Sequence, residues 1–314
     1  MNNNKSKDSV STNPPQKTHD SGWRRILPWL VVIAMAVWVA SGLHTAKNRT
    51  EFKIEEFSQM PVLLNGRVQP WDSVAKNSLL MLRGKASVPV SDRSQAESGS
   101  PDDPRRENLT AMEWLLEAMT RPDIADTRYV FRIDNAEVLN TLKLPVERKF
   151  FNFNEIRPNF EHIQHESDRI REQRIESQAQ TAYQKGVVKL NFAVNLYFRI
   201  KNSLKPENRE NFSQFVLSGQ EQITPGLAAL AKAEKREEHD AEALQGIMQL
   251  YRQYDMMSRV AYPLIIPPKS GKKQEDWRNI GTALKETLRG GEIPTPVLAY
   301  ARMADAYSSK SPAE

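Results

Sequence analysis

Eighteen consecutive residues, Ile26 to Leu43, carry no charge and contain a single proline, Pro28. A helix on the surface of a water-soluble domain needs a polar face, and this run has none. As a helix it measures roughly 27 Å, near the hydrocarbon thickness of a bilayer. Trp23 and Trp29 sit near one end and Trp38 near the other, and indole rings favour the headgroup level. Pro28 falls in the first turn, where a missing N–H costs least. The apolar run is longer than that of a signal peptide. The stretch after it, Ser41-Gly42-Leu43-His44-Thr45-Ala46, has no clean small-x-small cleavage pattern. The expectation is therefore a transmembrane helix over 23–44 retained as a signal-anchor, with a cleaved signal peptide as the alternative.

Flanking charge sets the direction of insertion. Lys5, Lys7, Lys17, Arg24 and Arg25 precede the run against Asp8 and Asp20, while Lys47, Arg49 and Lys53 after it are interleaved with Glu51, Glu55 and Glu56. The positive-inside rule then places residues 1–22 in the cytoplasm as a disordered tail and residues 50–314 on the extracytoplasmic, periplasmic side. Residues 1–25 carry +3 of the net charge of +5, so the basic balance is concentrated there. A nucleic-acid partner, which needs cations gathered on a folded face, is not expected. The chain has no cysteine. That excludes a disulfide scaffold, a thiol nucleophile, a Cys-ligated metal and thioether-bound haem on this chain.

Beyond the span the periodicity is mainly helical, with a few short strands. Met60 to Leu64 reads as extended, Asn65-Gly66 as a turn, and Val68 as a continuation. A helix capped by Asp72 or Ser73 runs to Gly84, whose left-handed tolerance ends it. Residues 86–108, rich in Ser, Pro, Asp and Arg, read as a mobile surface insertion. Thr110 and Glu113 form a capping box for a helix that Pro122 ends. Tyr129 to Asp134 alternates as a strand, Asn135 caps a short helix, Phe150 to Phe153 reads as a second strand, and Asn154 as the next cap.

A long polar helix follows, with Ile156, Phe160, Ile163, Ser167 and Ile170 as a narrow seam suited to a solvated face or to coiled-coil docking. The segment from Val187 to Ile200 is expected to be the most buried helix. Thr224-Pro225 reads as a helix start, and Leu244, Ile247, Met248, Tyr251, Tyr254 and Met257 as one apolar face. Pro263 to Pro268 is extended, a helix runs from Trp277 to Gly290-Gly291, and a last one covers 296–307.

Catalytic signatures do not emerge. There is no Gly-rich phosphate loop, no nucleophile elbow and no HExxH, and the carboxylates are dispersed. Of the five histidines, His162 and His165 are three apart between Glu161 and Glu166, a spacing compatible with a metal or haem contact as well as with a charged surface. His44, just past the span, is a candidate for passing haem contact or simply an interfacial residue. The chain is expected to be a non-enzyme.

The segment Met60-Pro-Val-Leu-Leu-Asn-Gly-Arg-Val-Gln-Pro-Trp-Asp-Ser-Val-Ala75 resembles a phrase of the extracytoplasmic domain attached to cytochrome c biogenesis proteins of the Ccs type, the system II haem lyases. Pro61, Val62, Gly66, Arg67, Pro70, Asp72 and Ala75 match it, with Trp71 in place of Leu, Ser73 of Thr and Val74 of Phe. Echoes follow in order: the Trp114 helix, the strand at 129–134, Phe150 to Pro158, and Pro267-Pro268 before Trp277. The resemblance implies an accessory or scaffold role in c-type cytochrome biogenesis beside a separate multi-span haem-handling protein, with apocytochrome c as a further partner. It implies no stably bound cofactor, only transient haem contact through the partner. The family's tryptophan-rich motif and membrane histidines have no counterpart here, so no catalytic residue carries over. Gly66, Arg67, Pro70 and Trp71 become partner-binding candidates. Arg67 is expected either to pair with a carboxylate inside the fold or to meet a partner or a haem propionate. A membrane-anchored structural or chaperone-like interaction module unrelated to haem is the other reading.

Overall fold

The computed structural model describes residues 23–42, 52–90, 108–207, 209–268 and 276–309. The chain forms two units, Met1–Arg49 and Thr50–Glu314. In the first, α1 (Trp23–Gly42) contains Pro28 inside the helix, one turn deeper than the sequence suggests. Side chains are described there for 27–38 only, and Leu27, Trp29, Val31 and Trp38 are all exposed. Among the described residues no helix is long and apolar enough to cross a membrane. The expected span of 23–44 reaches beyond the described side chains at both ends. The tail over 1–22 and His44 lie outside the described residues.

The described residues of the second unit are mostly helical and form three two-stranded sheets. After a short α2 (Ile54–Ser58), β1 (Pro61–Leu64) and β2 (Arg67–Pro70) pair antiparallel, Leu64 facing Arg67. Asn65 and Gly66 form the two-residue turn with φ of 51° and 73°. Both central residues of such a turn need positive φ, which Asn and Gly tolerate best. The chain then enters α3 (Trp71–Arg83) directly. Pro70 is its N-cap, in place of the expected Asp72 or Ser73, because the strand runs up to it and its fixed φ leads into the helix. Gly84 ends α3 in the left-handed region, as the sequence indicates.

The ends of the expected insertion are ordered strands, β3 (Ser87–Pro89) and β4 (Asn108–Thr110), with Val88 wholly buried. Of the expected mobile insertion over 86–108 only these ends are described, and they pair as strands; residues 91–107 lie outside the described residues. The capping box of Thr110 and Glu113 opens α4 (Ala111–Thr120). This helix, with nine of its ten residues buried, is the most enclosed of the unit. It takes the place expected for the Val187–Ile200 segment, which leaves Phe192 53% and Phe198 39% exposed.

Pro122 starts a one-turn α5 (Pro122–Ala125). Of the strand expected over 129–134 only β5 (Phe131–Arg132) pairs, against β6 (Phe150–Phe151). Between them lies α6 (Ala136–Thr141), capped by Asn135. Asn152, two residues before the expected Asn154, caps α7 (Phe153–Ile156) with Glu155 completing the box.

Four long helices follow. The polar α8 (Phe160–Glu172) packs along α9 (Ala182–Lys201). The Ile163–Ser167–Ile170 seam is buried, and the Ser167 hydroxyl accepts a hydrogen bond from Asn191 Nδ2 at 3.0 Å. This pairing satisfies the polar residue that interrupts the seam. Thr224 and Pro225 do not start a helix; they lie within α10 (Phe212–Glu234). Pro225 is exposed, as is Glu221, so the carbonyl that loses its helical partner faces water. Gly226 beside it lets α11 (Ala241–Val260) approach closely: a Cβ there would lie 2.5 Å from that of Ile247. The contact face of α11 is Ile247, Leu250, Tyr254 and Met257, while Met248 and Tyr251 point to solvent.

The extended segment after α11 hydrogen-bonds Leu264 to Leu63 and Ile266 to Arg278, and the Tyr262–Pro263 peptide is cis. Asn279, rather than Trp277, opens α12 (Ile280–Thr287), and α13 (Thr295–Ser308) closes the unit.

Tyr254 is 1% exposed, and burial pushes its hydroxyl from 10.0 up to about 12. Its folded pKa lies above its unfolded one, so the stability it contributes is complete below pH 10 and is lost as pH climbs from 10 to 12. That window corresponds to about 3 kcal/mol. Tyr197, wholly buried, shifts in the same direction. Urea midpoints are expected to stay level up to pH 10 and fall above it, with a shallower fall in Tyr254→Phe; an equal fall in both proteins contradicts this.

Candidate functional site

The Gly66–Arg67 hairpin and α3 together frame an open groove of about 670 Å³. Leu64, Arg67 and Gln69 alternate along the paired strands, so they share one face of the hairpin. Asn77, Leu80 and Met81 come from α3 at helical spacing, and Tyr262 closes the groove. Leu80 is 47% and Met81 39% exposed, which makes the floor apolar and open to solvent. Burial raises the Tyr262 hydroxyl pKa and the Arg199 guanidinium, stacked on its ring at 4.5 Å, opposes that rise.

Arg67 is exposed on the rim and makes no ion pair or hydrogen bond through its side chain among the described residues. The carboxylate partner expected inside the fold is therefore not present among them. Gly66 and Pro70 are also exposed. Trp71 is different. It is wholly buried and stacks on Phe57 at a ring separation of 5.8 Å, so it offers no surface to a partner. Its place among the partner-binding candidates is corrected: it anchors the start of α3 in the core.

His162 and His165 both project from the exposed side of α8. The nearby Glu166 carboxyl is held below its usual range, first by its hydrogen bond from Arg169 and only weakly by the two imidazoles. Among the described residues no group of three or more His, Asp or Glu side chains could hold a metal ion.

Sequence reasoning missed a buried charge cluster. Lys201, at the end of α9, donates to Asp126 at 2.9 and 3.2 Å and pairs with Glu207 at 2.8 Å. Its ammonium also lies 4.6 Å from the centre of the Phe153 ring. The Tyr197 hydroxyl donates to Asp126 at 2.8 Å. Burial, with the Asp126 carboxylate beside it, holds the Tyr197 proton on well above its ordinary range. Rings of Trp114, Phe131 and Phe153 surround Tyr197. The carboxylate, ammonium and hydroxyl satisfy one another inside this aromatic enclosure. Nothing in the spacing of Asp126, Tyr197 and Lys201 announces it beyond the i,i+4 relation of the last two.

A polar cleft of about 690 Å³ lies beside Lys205. Lys205 is 4% exposed, and its Nζ is 3.4 Å from Ser308 Oγ. Burial lowers its pKa, while Asp305, Glu210 and Asp123 oppose the shift. Asp305 accepts the Phe212 and Ser213 backbone N–H groups, each at 2.8 Å, and so caps α10 from α13. The cleft is internally compensated.

No family model matches the chain, and no curated protein matches it either.

Proposed function

We propose that this chain is a membrane-anchored, non-catalytic accessory protein in c-type cytochrome biogenesis that docks a separate multi-span haem-handling protein on the extracytoplasmic side. The observation that carries the docking role is Arg67, without a side-chain partner among the described residues, at the mouth of an open, apolar-floored groove. A buried arginine fork pairs within its own fold; an exposed and unpaired one above apolar side chains suits recognition of a carboxylate from outside. The resemblance of residues 60–75 to the Ccs phrase supplies the haem-lyase context, and a haem propionate or a partner carboxylate has the chemistry that Arg67 accepts. Haem contact is then transient and made through the partner, with apocytochrome c as a second client.

The apolar run at 26–43 supports the anchor, with residues 1–22 cytoplasmic and 50–314 periplasmic. Exposed Leu27, Trp29, Val31 and Trp38 on α1 need an apolar environment that the helix does not supply itself. Confinement to one membrane raises the effective concentration of the partners without further contacts.

Affinity purification from detergent-solubilised membranes should recover a multi-span haem-handling protein, and deletion should remove haem-stained c-type cytochromes. Arg67→Glu should weaken the recovered complex about tenfold or more, equivalent to about 1.4 kcal/mol. Normal cytochromes after deletion favour the other reading, an anchored interaction module unrelated to haem. That reading draws on the same groove, whose lining contains no histidine.

A further inference from the structure

The groove at Arg67 has a neighbour with which it shares one lining residue, Met81. A second depression, of about 350 Å³, shares Met81 and runs between the end of α3 and the outer face of α9, where Lys185 and Lys189 stand one helical turn apart. Taken as one binding trough, the two depressions combine apolar linings with a rim richer in cations than in carboxylates. Arg67 stands at one end with Arg199 just behind Tyr262, and Lys185 and Lys189 stand at the other. The carboxylate that lines it is Asp134, already paired with Arg132 at 2.9 Å. Lys185 reaches only the Gln178 carbonyl, at 3.4 Å, and Lys189 makes no ion pair or hydrogen bond through its side chain among the described residues. Cations left unneutralised on both sides of an exposed apolar strip are complementary to an anion-bearing chain with apolar side chains.

We infer that this trough receives an extended, acidic segment of a partner protein, its apolar side chains seated over Met81 and its carboxylates held by Arg67 at one end and by Lys185 and Lys189 at the other. The inference rests on the docking role proposed above and names the chemistry of the segment that is docked. The lining suits a strand-like or irregular chain, because the cations lie in two separate places, Arg67 in one depression and Lys185 and Lys189 in the other, which an extended segment can span.

The test uses the full chain in zwitterionic nanodiscs and a fluorescein-labelled peptide of alternating Glu and Leu, with its Lys–Leu counterpart as control. Fluorescence anisotropy should show binding of the acidic peptide alone, weakening as salt is added. Arg67→Glu and Lys189→Glu should each reduce its affinity about tenfold or more, and both side chains are exposed, so unchanged thermal melts will show that the fold is intact. Equal affinity for the two peptides, or indifference to both substitutions, overturns the inference. So does binding to phosphatidylglycerol vesicles that the same substitutions abolish while the acidic peptide fails to bind, because the trough would then serve a lipid surface. If the peptide fails while membranes still yield the haem-handling protein with Arg67→Glu, the trough assignment falls and the accessory role stands. If the peptide binds but no such protein is recovered, the trough stands and the haem context falls.

Discussion

Lys201→Met should destabilise the Thr50–Glu314 unit by about 3–5 kcal/mol, the cost of stranding one member of a buried ion pair. The methionine fills nearly the same space, so the loss is electrostatic rather than steric. Asp126, 6% exposed at its side chain, would keep the Tyr197 hydroxyl as the one partner of its carboxylate oxygens among the described residues. The second substitution in the pair decides the mechanism. Asp126→Asn combined with Lys201→Met removes the stranded charge, and stability should return by more than half. Urea unfolding of the wild type, the single variant and the double variant measures this. A double variant as unstable as the single one would show that Lys201 acts through packing instead.

Gly281→Ala should cost about 3 kcal/mol or more, the upper end of overpacking penalties. A Cβ at this position would lie 2.2 Å from the Ser258 backbone nitrogen and 2.4 Å from the Met257 carbonyl carbon. Backbone cannot rotate away as a side chain does, so α12 must lift off α11. The lift would also strain the bond from Asn279 Nδ2 to the Ser258 carbonyl, 2.8 Å long, which ties the start of α12 to the end of α11. Gly246→Ala in α11 is the control. Its Cβ meets only the flexible Gln222 side chain, at 3.3 Å, and alanine gains about 1 kcal/mol of helix propensity. Thermal melts should therefore move in opposite directions for the two variants. A Gly281→Ala protein that melts with the wild type would show that α12 is not held at the observed distance.

Much of the fold was legible because local chemistry decided it. The Thr110–Glu113 capping box, the Asn135 cap, the Gly84 stop and the Asn65-Gly66 turn each satisfy their own backbone within a few residues. The readings that failed depended on a neighbour. Pro225 looks like a helix start, yet α10 runs through it because its contacts with α11 outweigh the missing hydrogen bond. Met248 and Tyr251 fit the periodicity of a buried face, but α11 turns Ile247 and Leu250 toward α10 instead. The extended ends at Ser87–Pro89 and Asn108–Thr110 carry weak strand signals and are set by pairing with each other. In the candidate site, the sequence singled out Gly66 and Arg67, and it did not indicate that Trp71 would be in the core while its neighbour Pro70 stayed exposed.

The sequence by itself determined the uncharged run at 26–43, the mainly helical character of the rest, the absence of cysteine chemistry and the turn that presents Arg67, because composition and short-range hydrogen bonding fix these without reference to distant residues. Only the tertiary structure decided that Asp126 meets Lys201 across 75 positions, that Met81 lines two depressions, and that Arg67 has no carboxylate partner among the described residues. The physical reason is that burial, pairing and concavity belong to elements brought together by packing, and no single stretch of chain encodes which neighbour it will meet.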